Sequence, residues 1–151
     1  MTSVEQNIAH LRSALEAINA RRLDDLGELV TPGFVRHDWN GYSIDRQGPE
    51  GLADLVRLLL SALPDLQVRV RDVFATEDRA AVYLTMTGTH RGDFLGVPPS
   101  GRGVCLESID LYRLEGGKIA EVWPWPDLAG IRRLVAEPAA CEPARAEDRD
   151  Q

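Results

Sequence analysis

The sequence predicts an α+β domain in which helices come first and a strongly bent antiparallel sheet follows. Three observations carry this. Apolar residues recur at helical spacing from Val4 to Leu63, the period drops to two after Asp65, and turn signals then separate four long strands. With 151 residues the chain fits one domain that buries about two-thirds of its unfolded surface, with no room for a separate cofactor domain.

The first helix opens at Ser3, which makes a capping box with Gln6, and Val4, Ile8, Leu11, Leu15 and Ile18 follow at alternating four- and three-residue spacing. Leu26, Leu29 and Val30 predict a shorter helical stretch that Thr31-Pro32-Gly33 stops. Phe34 to Trp39 reads as a short extended piece running into the turn signal Asn40-Gly41. Pro49 suits the first turn of a third helix, whose face is Leu52, Leu55, Val56, Leu59 and Leu63 and which ends before Pro64.

Leu66, Val68 and Val70 alternate with Gln67, Arg69 and Arg71, which predicts a strand with one wet face. Arg79 to His90 is a second strand, Gly103 to Leu114 a third and Lys118 to Trp125 a fourth, the last two joined by the turn at Glu115-Gly116-Gly117. From Ala136 the composition turns to Ala, Pro, Glu, Asp and Arg without apolar period. Residues 1–135 therefore read as the domain and 136–151 as a disordered acidic tail.

The formal net charge of −7 argues against a nucleic-acid partner, because neutralising phosphates needs clustered Lys and Arg. No apolar run reaches membrane-spanning length and the start does not resemble a signal peptide, so the expectation is a cytoplasmic protein without a membrane partner. Cys105 falls in a strand and Cys141 in the polar tail, a pattern with neither a disulfide framework nor a metal-ligand spacing. The three histidines are too scattered for a metal site. Gly92, Gly96, Gly101 and Gly103 lie between strands, not between a strand and a helix, so no dinucleotide fingerprint is present and no cofactor is expected.

One segment is more specific. Thr89, His90, Gly92, Phe94, Gly96, Pro98, Pro99, Ser100, Gly101 and Arg102 precede a strand, and Gly117, Lys118, Ile119 and Glu121 follow it. This resembles the SnoaL-like polyketide cyclases, a branch of the nuclear transport factor 2-like superfamily of cone-shaped α+β domains. The resemblance implies a curved antiparallel sheet packed on three N-terminal helices, a pocket for a hydrophobic small molecule, a homodimer, and a role in antibiotic biosynthesis. The family's His-Trp-Asp, whose aspartate is the cyclases' acid/base, reads Val122-Trp123-Pro124 here.

Strand parity places Val122 and Pro124 on one face and Glu121, Trp123 and Trp125 on the other; the resemblance turns the first pair toward the pocket. Ser108, Asp110 and Tyr112 likewise share a face. Asp110 matches the oxyanion-hole aspartic acid of the ketosteroid isomerases, a sister branch, which makes it the best remaining pocket acid. His37 or Asp38 falls where those isomerases keep their general base, the one-residue choice staying open, and Leu15 stands where they keep a tyrosine. Trp39, Tyr42, Tyr112, Leu59 and Leu63 are candidate ligand walls. His90 reads as a loop-shaping residue, and Trp123 as packing on the outer face or at a subunit contact.

The functional expectation is a cofactor-independent cyclase, or a related ring-forming or rearranging enzyme, acting on a polyketide-like intermediate. The alternatives are a non-catalytic small-molecule-binding module and an accessory hydroxylase-type protein.

Overall fold

A computed structural model describes residues 3–37, 46–94 and 96–127. Helix α1 (Val4–Asn19) starts at Ser3, whose hydroxyl accepts the Gln6 amide at 3.1 Å while the Gln6 side chain accepts the Ser3 amide at 2.9 Å. The box satisfies donors that have no partner inside the helix. The buried stripe of α1 is Asn7, Leu11, Ala14 and Ala17, whereas Val4 is exposed. Asn7 is tolerated there because its amide donates to the Thr76 and Glu77 carbonyls at 3.1 and 2.8 Å.

A 3-10 turn (Leu23–Asp25) leads into α2 (Leu26–Leu29), which is only four residues long, because Val30 already belongs to β1 (Val30–Arg36). Thr31-Pro32-Gly33 therefore lies inside a strand instead of ending a helix. The reason is non-local: β1 pairs with β6 (Lys118–Pro126), and the register is irregular between Val30 and Val35, where Pro32 and Gly33 sit. Such an irregularity accommodates a residue with no N–H to donate. The remaining elements are β2 (Arg46–Gln47), α3 (Gly48–Ala62) with Pro49 in its first turn, β3 (Gln67–Ala75), β4 (Arg79–Thr89) and β5 (Gly103–Glu115).

The strands form one sheet in the order β2-β1-β6-β5-β4-β3. Every neighbouring pair is antiparallel except β1 and β6, which run parallel. That pair departs from the antiparallel expectation because no hairpin joins these two strands, so no local turn dictates their relative direction. Register shifts between Val70 and Asp72 and between Arg113 and Leu114 add the local twist that curves the sheet. The turn from β5 to β6 uses Gly116 and Gly117 at φ of 58° and 79°, as a tight hairpin of that hand requires.

The helices cover the concave face. At the end of α1 the Asn19 amide substitutes for a missing strand, donating to the Val68 carbonyl at 2.8 Å and accepting its amide at 2.7 Å. Leu11, Phe34, Leu66, Val82 and Leu114 are buried in the resulting core. Cys105 on β5 is disulfide-bonded. No helix among the described residues is long and apolar enough to cross a membrane.

Beyond β4 the chain folds back on the end of α3, with the Arg91 and Gly92 amides both donating to the Ala62 carbonyl. A Cβ on Gly92 would stand 2.2 Å from the Ser61 carbonyl oxygen. Gly92→Ala therefore lifts this loop from α3 and destabilises the fold by more than about 1 kcal/mol in urea unfolding. Gly103→Ala, where a Cβ meets nothing within 4 Å, changes little by the same measurement.

Candidate functional site

A cavity of about 420 Å³ opens between the helices and the concave face of the sheet, within the size range of sites for small organic ligands. Its walls are mostly apolar: Leu15 from α1, Leu52 and Leu59 from α3, Phe34 from β1, and Phe94 from the loop after β4. The floor is built by alternation on two paired strands. Ser108, Asp110 and Tyr112 of β5 face in and stand opposite Pro126, Pro124 and Val122 of β6. Among the described residues, β1 pairs with β6 as far as Arg36 and Val122.

Asp110 is the chemical centre of this floor. The Ser108 hydroxyl donates to its Oδ1 in a short hydrogen bond, and the Tyr112 hydroxyl lies 3.4 Å from Oδ2. Asp110 is half-buried, and its free side faces the cavity. Removal from bulk water raises its pKa above the ordinary carboxylate value; hydrogen bonding from Ser108, the charge of Arg36, and bonds from Tyr112 and the Trp125 amide offset only part of that rise. Tyr112 is pushed well above its usual range, by burial first and then by the neighbouring Asp110 charge. Tyr112 therefore remains a neutral donor across the physiological range.

Seven of the residues singled out from the sequence meet here: Leu15, Leu59, Ser108, Asp110, Tyr112, Val122 and Pro124 all line the cavity. Leu63 does not; it is buried in the core, and the face of Gly88 packs on it. Asp38, Trp39 and Tyr42 lie outside the described residues. His37 is a correction. Its Nε2 lies 2.7 Å from Glu121 Oε2 and its ring stacks on Trp123 at 4.8 Å between centroids, so it belongs to the outer face of the sheet. The cavity-facing side chain at this step is the neighbouring Arg36. Its alternation with Phe34 was the available signal, since both lie on one parity of β1.

On the outer face, Glu121 also accepts the Arg113 guanidinium at 2.7 Å. The bonds from His37 and then Arg113 hold its carboxyl below the ordinary value. His90 is buried, with Nδ1 at 3.0 Å from the Ser100 hydroxyl and 3.3 Å from its amide, and so ties the Pro-Pro loop to the end of β4. Among the described residues no group of three or more His, Cys, Asp or Glu is placed to hold a metal ion.

Residues 9–134 match the family of SnoaL-like polyketide cyclases. The chain belongs to this family. It is 30% identical over 126 residues to the nogalonic acid methyl ester cyclase of Streptomyces nogalater, covering 82% of this chain and 92% of that protein. It is also 30% identical over 135 residues to the aklanonic acid methyl ester cyclase DnrD of Streptomyces peucetius, covering 85% and 89%. Among solved structures, AclR of Streptomyces galilaeus, a candidate hydroxylase, superposes with a TM-score of 0.76 at 27% identity over 89% of this chain and 98% of its own. These SnoaL-like relatives thus include both polyketide cyclases and a candidate for a different reaction.

His37→Ala removes the stacking partner of Trp123 and a hydrogen-bond partner of Glu121 without touching the cavity. A carboxyl held low stabilises the fold above its unfolded pKa, and that contribution disappears as pH falls through the folded value. The variant therefore melts below the parent at neutral pH, by a margin that narrows in acid, and its turnover is unchanged. A fall in turnover at unchanged melting temperature would instead put His37 in the chemistry.

Proposed function

We propose that this chain is a polyketide cyclase that closes a carbon ring with Asp110 as its acid/base. The observation that carries the reading is the pairing of Asp110 with Pro124 across β5 and β6. The family resemblance puts the cyclases' aspartate at the position of Pro124; here the carboxyl stands on the adjacent strand, facing the same space. The cyclase relatives, about 30% identical over most of their length, support the reaction class.

A ring closure of the aldol type needs a base for an acidic carbon-bound proton and an acid for the carbonyl that receives the new bond. One group serves both roles if its pKa lies between the ordinary carboxylate value and the working pH, because it then both takes and returns a proton readily. Desolvation moves Asp110 in that direction. Ser108 and Tyr112 fix the carboxyl in one orientation, and the leucine-rich walls hold an apolar chain folded. Confining the two reacting carbons near one another contributes several powers of ten by itself. The reaction so written needs no cofactor.

A homodimer through the outer face belongs to the same reading. Phe74, Ile109 and Trp125 are 69%, 53% and 47% exposed, and Ile109 and Trp125 are direct partners on β5 and β6. Sedimentation velocity at micromolar concentration should give a dimer that Ile109→Arg converts to monomer; a monomeric parent would contradict this.

Asp110→Asn keeps the shape of the floor but cannot exchange a proton, and should lower turnover of a nogalonic- or aklanonic-type methyl ester by about 100-fold or more with the ligand still bound. Pro124→Asp should not raise activity. It puts a second carboxyl directly across from Asp110, and two close carboxylates oppose each other's ionisation. Unchanged turnover in Asp110→Asn would remove Asp110 from the mechanism, and binding without turnover in the parent would make the chain a binding module.

A further inference from the structure

We propose that Arg36 is a second catalytic and specificity-determining residue of the cavity, whose guanidinium takes the ligand oxygens that become negative and so selects apolar ligands carrying a β-dicarbonyl group. The inference deepens the cyclase reading and rests on it. Arg36 is the one cation among the described residues that line the cavity. Its place follows from register: Arg36 of β1 is the partner of Val122 on β6, Val122 is the partner of Tyr112 on β5, and Pro124 and Asp110 form the next inward-facing row. Adjacent strands lie about 4.8 Å apart and rise about 3.3 Å per residue, so Arg36 and Asp110, two strands and two residues apart, are rooted about 12 Å from one another, with β6 between them. That strand contributes Ile119, Val122, Pro124 and Pro126 to the space, all of them apolar.

The electrostatics agree with the geometry, since the charge of Arg36 acts on both Asp110 and Tyr112. Where the family resemblance expects His and Asp together on β6, this chain has an apolar lane flanked by a cation on one neighbouring strand and a carboxyl on the other. A ligand lying over Val122 and Pro124 is therefore between the two.

The charge balance gives Arg36 its role. Ionised Asp110 takes the proton from the carbon between two carbonyls, and the C–H electron pair passes to the carbonyl oxygens as an enolate. Negative charge leaves the protein and arrives on the ligand. A fixed cation beside both positions offsets it in either state, so the transfer proceeds without separating charge in an apolar cavity. The enolate carbon then bonds to the receiving carbonyl carbon, whose oxygen takes the proton back from Asp110. The planar guanidinium fork matches the two oxygens of a β-diketonate better than a point charge would.

The test is equilibrium binding of phenindione, a cyclic β-diketone present as the enolate at neutral pH, against its C-methylated derivative, which cannot enolise. The parent should bind the enolate at least about tenfold more tightly than the neutral compound. Arg36→Met should lose that preference while retaining the affinity for the neutral compound, which also reports an intact cavity, and Arg36→Lys should keep part of it. Equal binding of both probes by the parent, or an undiminished preference in Arg36→Met, overturns the proposal. Either result concerns Arg36 alone, because the Asp110 reading stands or falls on turnover in Asp110→Asn.

Discussion

The constraint on which the rest depends is the carboxyl of Asp110 set in an apolar cavity. A carboxylate withdrawn from water is costly unless its oxygens are bonded, and the cost shows as a raised pKa. β5 supplies the compensation from its own inward face, because residues two apart on a strand stand side by side. Ser108 and Tyr112 thus flank Asp110 and bond to it. The compensation is partial, and the part left over holds the carboxyl above the ordinary carboxylate value. The surrounding architecture keeps that balance: the helices exclude solvent, the bulges curve the sheet around the space, and the loop carrying Phe94 contributes to its wall.

The two faces of β6 carry separate duties. Inward, Val122 and Pro124 are apolar and shape the cavity floor. Outward, Glu121 and Trp123 gather His37 and Arg113 into a stacked, ion-paired cluster beside exposed apolar residues of β5. A loss of ionisable groups on one strand and the presence of Asp110 and Arg36 on its neighbours are thus features of one floor.

Most of this was legible in the sequence where local period and strand parity decide. The capping box, the length of α3 and the four long strands follow from spacing; parity groups Ser108 with Asp110 and Tyr112, and Val122 with Pro124, and the family resemblance turns both faces inward. The failures cluster on β1. Its irregular, parallel pairing to β6 depends on residues more than eighty positions away, so Pro32 and Gly33 looked like a helix stop. Parity across such an irregularity is not fixed by the sequence, and a slip of one residue exchanges the two faces. That is why the choice between His37 and Asp38 stays open in the sequence and Arg36 is not among its candidates. Asn7 was hidden for a similar reason, since its burial makes sense only once the turn between β3 and β4 is brought against α1.

The central claim is that the fold holds Asp110 with a raised pKa, and carbon-13 NMR titration of its side-chain carboxyl in the ligand-free protein measures this directly. The account predicts a midpoint clearly above the roughly 3.9 of an unperturbed aspartic acid. A raised folded-state value also means that stability associated with this group is greatest below its unfolded pKa and is lost as pH rises through the folded one. A midpoint at or below the ordinary value would contradict the account, because Asp110 would then be a fully compensated structural carboxylate, too weak a base to take a carbon-bound proton.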